Sequence, residues 1–218
     1  YSQNFLKSRD LVASLISKSS INKSDVVVEI GGGVGIITEE LVKHSRRVLA
    51  FEIDQSLYQK LTKRFANDSK VEIHNANFLT ALLPKTPFKV FSNIPFNITA
   101  DVVRKLTRPE SNAIDIYLIM QREAAERFIG RPVANETQAS LFFKPWFEGS
   151  VVHEFKRSDF NPSPKVDIVL LRFIRRKKPR VSDANLYKDF IAYAFNQWKP
   201  TLLDGFKPIF TKPQFARL

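Results

Sequence analysis

Between residues 26 and 129, short apolar runs alternate with stretches of helical period, and this alternation constrains the fold more than any other feature of the chain. Val26–Ile30 reads as a buried strand and 36–44 as a helix. Val48–Ile53 and 55–66 repeat the pair, the helix carrying Leu57, Leu61 and Phe65 on one face. Val71–His74, Phe88–Ser92 and Ile114–Met120 read as further strands, with helical stretches at 99–107 and 121–129 and an earlier one over 10–18. Strands separated by helices pair in parallel and bury both faces under those helices. The period then changes. Residues 149–155 and 166–174 predict two strands joined across Asn161-Pro162-Ser163-Pro164, which puts an antiparallel edge on the sheet. Residues 175–180 read as a basic linker. From Asp183 a helix places Leu186, Phe190, Ala194 and Phe195 at helical spacing, in a tail too short for an independent core.

The first strand runs into Glu29-Ile30-Gly31-Gly32-Gly33-Val34-Gly35, immediately before a helix. Glycines there let the chain turn tightly and let a ligand approach the main chain. The second strand ends Phe51-Glu52-Ile53-Asp54. Glu52 lies 17 residues beyond Gly35, close to the interval of about 20 at which an acid meets ribose hydroxyls in nucleotide-binding sheets. The third strand ends at Asn75-Ala76-Asn77-Phe78, where Asn77 can accept from an adenine amine or serve a turn. The loop spacing is Gly-x-Gly-x-Gly. A dinucleotide loop is spaced Gly-x-Gly-x-x-Gly and seats a pyrophosphate at the helix N-terminus, so the spacing favours S-adenosylmethionine as the cofactor.

Asn93-Ile94-Pro95-Phe96 follows the fourth strand and is the most informative tetrapeptide. It suits methyl transfer to an exocyclic adenine amine, a poor nucleophile whose lone pair is delocalised into the ring. The Asn93 side-chain oxygen and the Ile94 carbonyl can take the two amine hydrogens. Pro95 stiffens the loop and Phe96 can stack on an extruded base. Positioning then supplies most of the rate, and no strong general base is needed.

Charge narrows the partner. Lys and Arg total 34 against 22 acids, a net of +12, which favours a polyanion through Coulomb attraction and counterion release. The densest basic cluster is Arg175, Arg176, Lys177, Lys178 and Arg180, read equally as a solvated linker or a phosphate contact. The chain has no cysteine, and His44, His74 and His153 lack ligand spacing, so no metal site is expected. No apolar run reaches the length of about 18 residues that a membrane span needs, and no signal peptide is visible. The sequence opens on Tyr1, and nothing upstream is read.

Taken together, these segments resemble the rRNA adenine N6-methyltransferases, a family that includes the Erm macrolide-resistance enzymes and the KsgA-type dimethylases. The resemblance covers nearly the whole chain. It rests on Ser2-Gln3-Asn4-Phe5-Leu6, Glu29-Ile30-Gly31-x-Gly33-x-Gly35, Glu52-Ile53-Asp54, Asn93-Ile94-Pro95-Phe96, Met120-Gln121-Arg122-Glu123 with Ala125-Glu126-Arg127, and Phe160-Asn161-Pro162-Ser163-Pro164-Lys165-Val166-Asp167. It implies an α/β, Rossmann-like S-adenosylmethionine-dependent methyltransferase sheet over residues 1–176 and a small helical RNA-binding domain over 177–218. It implies a cofactor site of Gln3, Asn4, Leu6, Gly31, Gly33, Gly35, Glu52, Ile53, Asn77 and Asn93. The catalytic set is then Asn93, Ile94, Pro95 and Phe96, with Phe160 as the second aromatic wall for the target adenine. The family usually has aspartate where this chain has Asn77, which implies weaker cofactor binding rather than lost activity.

Lys207-Pro208-Ile209-Phe210-Thr211-Lys212-Pro213-Gln214-Phe215 and Pro145-Trp146-Phe147-Glu148 look like the Erm branch. The KsgA-type branch normally carries a larger C-terminal domain. The expected substrate is therefore 23S rRNA, naked or in an early assembly precursor, methylated by a cytoplasmic monomer with resistance to macrolides, lincosamides and type B streptogramins as the outcome. The alternatives are a dimethylase of small-subunit rRNA and a non-catalytic RNA-binding or transcription factor on the same fold.

Overall fold

The computed structural model describes residues 4–216. A two-residue strand β1 (Phe5–Leu6) leads into α1 (Arg9–Ser17), whose first turn is capped by Ser8 Oγ accepting from the Leu11 N–H at 3.1 Å. The alternation follows as β2 (Val26–Ile30), α2 (Ile36–His44), β3 (Arg47–Glu52), α3 (Gln55–Arg64), β4 (Val71–Asn75), β5 (Phe88–Asn93), α4 (Thr99–Leu106), β6 (Ala113–Gln121) and α5 (Arg122–Ile129). After α6 (Gln138–Phe143) come β7 (Phe147–Phe155), the two-residue β8 (Phe160–Asn161) and β9 (Ile168–Arg175). The tail holds α7 (Ala184–Phe195), α8 (Leu202–Phe206) and α9 (Lys212–Phe215).

The main sheet has seven strands in the order β4-β3-β2-β5-β6-β9-β7. The first five are parallel, while β9 runs antiparallel between β6 and β7. Successive residues of the central strands bury on opposite faces. Val28, Val90, Ile116 and Leu118 pack with Val102, Val103 and Leu106 of α4 and with Phe128 and Ile129 of α5. Val27, Val48, Phe91 and Ile119 pack with Val12, Leu15 and Ile16 of α1 and with Ile37 and Leu41 of α2. Both faces being covered is why these strands read as unbroken apolar runs rather than alternating ones. Truncating one of them in mid-sheet, such as Ile116 to alanine, costs about 2–5 kcal/mol.

The chain runs outward from β2 to β4 and then returns to β5 beside β2. The order therefore reverses between β2 and β5, and the crevice beyond the carboxyl ends of those strands is where ligands bind in open α/β sheets.

Three details differ from the sequence reading. The helix α6 carries no sequence signal of its own, although Thr137 caps it by accepting from the Ser140 N–H at 2.9 Å. Six residues are too few for a helical period to show. Part of the basic linker is not a linker. Arg175 ends β9, bonds the carbonyls of Ala113 (3.0 Å) and Arg108 (3.2 Å), and lies over the Phe147 ring at 4.7 Å. Arg176 bonds the Lys144 carbonyl at 2.9 Å and pairs with Glu148, so only Lys177, Lys178 and Arg180 of that cluster are exposed. In α7 the inward stripe is Ala184, Tyr187 and Ile191, whereas Leu186 and Phe195 face out. Tyr187 donates to the Leu141 carbonyl at 3.0 Å and meets Trp146 edge-on at 5.9 Å, which docks α7 on the main body. Beyond it, Phe190, Phe206, Phe210 and Phe215 meet in sequence, the last two contacts edge-on, as a small aromatic cluster of the tail.

Candidate active site

The glycine loop sits at the reversal point, between the ends of β2 and β5. Gly33 has φ +55°, and a Cβ there would meet the Phe5 ring at 3.0 Å. Gly35 opens α2 with φ +84°, and its Cβ would strike Leu61 at 2.9 Å. An L side chain at either position is strained by its backbone alone, and the loop stays close enough for a ligand to lie on main chain.

Ladder pairing between β2 and β5 stops at Val28 and Val90. Above that point the strands part, and the buried Ser92 hydroxyl accepts from the Ile30 N–H at 2.8 Å. The parted edge separates the glycine loop from Asn93, which places exposed main chain and a polar side chain on opposite lips of one crevice. Asn93 donates from Nδ2 to the Asn4 carbonyl at 2.7 Å. That bond fixes which end of the amide is left over: Oδ1, the acceptor, has no hydrogen-bond donor among the described residues. Ile94 is 2% exposed and its N–H donates to the Ile119 carbonyl at 3.3 Å. Pro95 holds φ −61°, and a single turn of 3-10 helix begins at Phe96.

Asn4 and Phe5 belong to a strap that ties the site's parts together. Strand β1 pairs antiparallel with β8, Phe5 against Asn161 and Leu6 against Phe160. The Lys7 N–H adds a bond to the Asp159 carbonyl at 2.9 Å. Phe160 is 1% exposed, edge-on to Phe155 at 5.4 Å, in the apolar cluster against which the half-buried Phe96 also packs. The two rings expected to flank a base thus share one cluster, while Phe160 is fully covered. A crevice of about 30 Å³ lies between Asn4, Phe5, Gly31, Gly33, Asn93 and Phe96. A second cavity of about 30 Å³ lies across Phe5, against Leu6, Glu29 and Gly32. The two cavities share Phe5, Gly31, Gly33 and Asn93 as lining.

Glu52 is 1% exposed and closes on the loop from β3. Its Oε2 accepts from the Gly33 N–H and its Oε1 from the Asp54 N–H, both at 2.9 Å. The carboxylate therefore clamps the glycine loop as well as standing where ribose hydroxyls are expected, and each oxygen keeps acceptor capacity. Ile53 beside it is 62% exposed. Asn77 at the β4 end is exposed, but its Oδ1 accepts from the Leu79 N–H at 3.0 Å. The turn uses the oxygen that the sequence reading offered to an adenine amine, leaving the amide N–H₂ outward. Gln3 lies outside the described residues.

Sequence reasoning placed Glu29 in the loop motif but gave it no role of its own. It is 1% exposed, at the end of β2 beneath the loop, and accepts from Thr38 Oγ1 at 2.6 Å. Burial pushes its carboxyl up to about 8, against the lowering effect of the Thr38 bond and with a further push from the Glu52 charge. An acid inside an apolar strand run was the available signal.

Comparison with known proteins agrees with this geometry. The family profile for ribosomal RNA adenine dimethylase matches residues 1–216. An rRNA adenine N-6-methyltransferase of Bacillus licheniformis is 29% identical over 99% of this chain and 76% of its own length. A ribosomal RNA small subunit methyltransferase A of Clostridium acetobutylicum is 30% identical over 94% of this chain and 77% of its own length. Among solved structures, the 23S rRNA methyltransferase ErmE superposes with a TM-score of 0.87 at 26% identity, covering 98% of this chain and 88% of that one. A dimethyladenosine transferase from Plasmodium falciparum gives 0.79 at 25% identity, over 98% and 78%. With its glycine loop, Glu52 and Asn93–Phe96 gathered at one reversal point, the chain belongs to the ribosomal RNA adenine dimethylase family of S-adenosylmethionine-dependent methyltransferases.

Proposed function

We propose that this enzyme methylates N6 of an adenine in 23S rRNA, as a cytoplasmic monomer, and so confers resistance to macrolides, lincosamides and type B streptogramins. The observation that carries the choice of subunit is the likeness to ErmE, whose TM-score and whose covered share of its own length exceed those of the dimethyladenosine transferase. When bound, S-adenosylmethionine supplies a methyl group on a sulfonium centre. The chain's own residues do the rest. The free Oδ1 of Asn93, aimed by the bond to Asn4, and the Ile94 carbonyl accept the two amine hydrogens and turn the nitrogen lone pair toward the methyl. Phe96 stacks on the extruded base, and Phe160 forms the second wall once the strap shifts. The gain comes from positioning and from acceptors placed in advance.

The same reading assigns residues 1–176 to catalysis and 177–218 to a small RNA-contacting unit. Two depressions of about 790 and 640 Å³ flank α4 and share Arg104, Arg108 and Glu110, with Lys85, Lys105 and Asp101 on one side and Lys188 on the other. Because α4 begins three residues after Phe96, these cations lead away from the site along a path suited to phosphates. The target must be accessible for extrusion, so naked rRNA or an early precursor is the substrate.

A methyl on the amine removes a donor at the drug contact. An unpaired buried group costs about 1–3 kcal/mol, roughly ten- to a hundredfold in drug affinity, before any clash. Expression in a sensitive bacterium raises resistance to erythromycin and clindamycin together, and the Asn93→Ala variant does not. The small-subunit reading is favoured by the 30% identical Clostridium relative. It predicts unchanged drug sensitivity and new dimethyladenosine in small-subunit rRNA.

A further inference from the structure

We infer that Lys105 is a positioning residue for the cofactor: from α4 it holds the turn after β4, where the adenine end of S-adenosylmethionine belongs, at a fixed place relative to Asn93–Phe96. The inference rests on the reading that sets the cofactor's adenine beside Asn77, and not on which RNA is modified.

The turn needs a partner from outside itself. Its N–H groups are matched from within: Asn77 Oδ1 accepts from Leu79 at 3.0 Å, and the Asn77 carbonyl accepts from Thr80 and Ala81, both at 3.1 Å. Its carbonyls lack partners of that kind, since among the described residues no backbone N–H bonds those of Phe78, Leu79 or Ala81. Open carbonyls at the end of a helix-like turn attract a cation. Lys105, in the last turn of α4, meets all three. Its Nζ donates to Phe78 at 2.6 Å, to Leu79 at 3.0 Å and to Ala81, and it lies over the Phe78 ring at 4.9 Å.

An ammonium has three donors, so these carbonyls use them all. A phosphate contact would leave donors free in the depression that Lys105 lines, and none is left. No carboxylate forms an ion pair with Lys105 among the described residues. Asp101, one turn back on α4, pairs with Arg104 instead. Partial burial, helped by the neighbouring Arg108 charge, lowers the Lys105 pKa, so the three carbonyls hold a cation that its surroundings disfavour.

Placement gives the contact its use. Strand β4 is the edge of the sheet, so β3 braces the turn from one side only. Helix α4 begins at Thr99, three residues after Phe96, and reaches Lys105 six residues on, about 9 Å along its axis. One short helix thus continues the Asn93–Phe96 loop at its start and grips the turn of Asn77 near its end. A turn released from that grip samples other positions. Each cofactor that binds must then select the right one, so the loss falls on affinity. The far part of the loop is anchored separately, by Asn112 Nδ2 donating to the carbonyls of Pro84 at 3.3 Å and Lys85 at 3.0 Å.

The test is calorimetry of S-adenosylhomocysteine binding to the wild type, Lys105→Met, Asn77→Ala and the double variant, with cofactor kinetics on deproteinised rRNA alongside. Methionine keeps the stem over Phe78 and removes the ammonium, while Asn112 still anchors the loop, so circular dichroism should show a folded protein. Binding to Lys105→Met should weaken about tenfold. The Michaelis constant for S-adenosylmethionine should rise by the same factor, and turnover at saturating cofactor should fall far less. 5′-Methylthioadenosine, which lacks the amino-acid end, should lose as much affinity as S-adenosylhomocysteine. Asn77→Ala should also weaken binding, and the double variant should bind no worse than the weaker single one, because both act through one turn. A folded Lys105→Met with wild-type affinity, beside a weakened Asn77→Ala, would overturn the inference. So would losses that multiply in the double variant, or a loss seen with S-adenosylhomocysteine and not with 5′-methylthioadenosine. Unchanged affinity in both single variants would remove the adenine from this turn, and the inference with it.

Discussion

At the amino ends of the strands the buried charges are matched in pairs, whereas at the carboxyl ends Glu29 has one hydroxyl for a partner and Asn93 keeps an acceptor idle. Lys89, 8% exposed, donates to Asp25 at 2.8 Å and to the Ser20 carbonyl at 2.5 Å. Asp115, 6% exposed, takes two bonds from Arg172, at 2.9 and 2.6 Å, and one from Ser20 Oγ at 2.6 Å. Tyr117 lies under the Arg172 guanidinium and accepts from the Ser20 N–H at 3.0 Å. The Asp115 bond holds Arg172 above its ordinary value. One edge of the sheet is saturated and locks the turn after α1 in place. The other is left incomplete, and incompleteness is what a ligand can satisfy. Parallel strands carry groups of both kinds, Lys89 and Asp115 at one end and Glu29 and Asn93 at the other, so the fold separates rigidity from chemistry along a single direction.

That contrast predicts different failures at the two edges. Asp115→Ala should produce the largest loss of stability. It strands a half-buried Arg172 and removes the Ser20 bond, costing about 3 kcal/mol or more, read as a fall in denaturation midpoint. Methyl transfer per folded molecule should be unchanged, and a large loss of turnover would break the comparison. Asn93→Ala should do the reverse. Removing one positioned polar group typically lowers turnover by ~10²–10³, while the midpoint stays near wild type. Near wild-type turnover on deproteinised rRNA would sink its assignment.

Glu29 gives the comparison a pH axis. Between its ordinary value of 4.5 and the folded value of about 8, the folded protein holds a proton that the unfolded chain has released. Stability of the ligand-free protein therefore falls as pH rises through that window, by up to about 1.4 kcal/mol per unit, and levels off above it. Denaturation of Glu29→Gln between pH 5 and 8 should lack this slope. A wild type and a Glu29→Gln variant with the same slope would show that Glu29 is charged.

Most of the frame was legible because its signals are local. A strand buried on both faces is an apolar run, and Gly31, Gly33, Glu52 and Asn93 each fall at a strand end, where the run stops. What escaped was non-local or short. The pairing of Leu6 with Phe160 joins two-residue strands 154 positions apart, with no period to announce it. Arg175 and Arg176 read as linker charge because their role is to bind carbonyls, and carbonyls carry no residue identity. For Asn77 the sequence shows only the side-chain type, whereas the turn to Leu79 decides which of its atoms faces out.

Smaller effects sharpen the picture of the carboxyl edge. Glu52→Gln should raise the Michaelis constant for S-adenosylmethionine with a lesser fall in turnover, because the ribose interaction proposed for it would be made equally in ground and transition states. Its two N–H partners add a second consequence, since an amide presents only one oxygen to them. A Michaelis constant equal to wild type would contradict the assignment. Neutralising Lys177, Lys178 and Arg180 should flatten log RNA affinity against log salt by about 0.7–0.9 for each phosphate no longer neutralised. An unchanged slope would return them to the solvated surface. Asn77→Asp should bind cofactor equally or more tightly, through a charged acceptor. Markedly weaker binding would show that the outward N–H₂ is the group used.

The most direct measurement is mass spectrometry of ribosomal RNA purified from cells carrying the wild-type protein, the Asn93→Ala variant or neither. The expected result is N6-methylated adenine at one new position in the large-subunit RNA, with the wild type only. Methylation confined to the small subunit would contradict the proposed target, and a new methyl group made equally by folded Asn93→Ala would contradict the chemistry placed at the parted edge of β2 and β5.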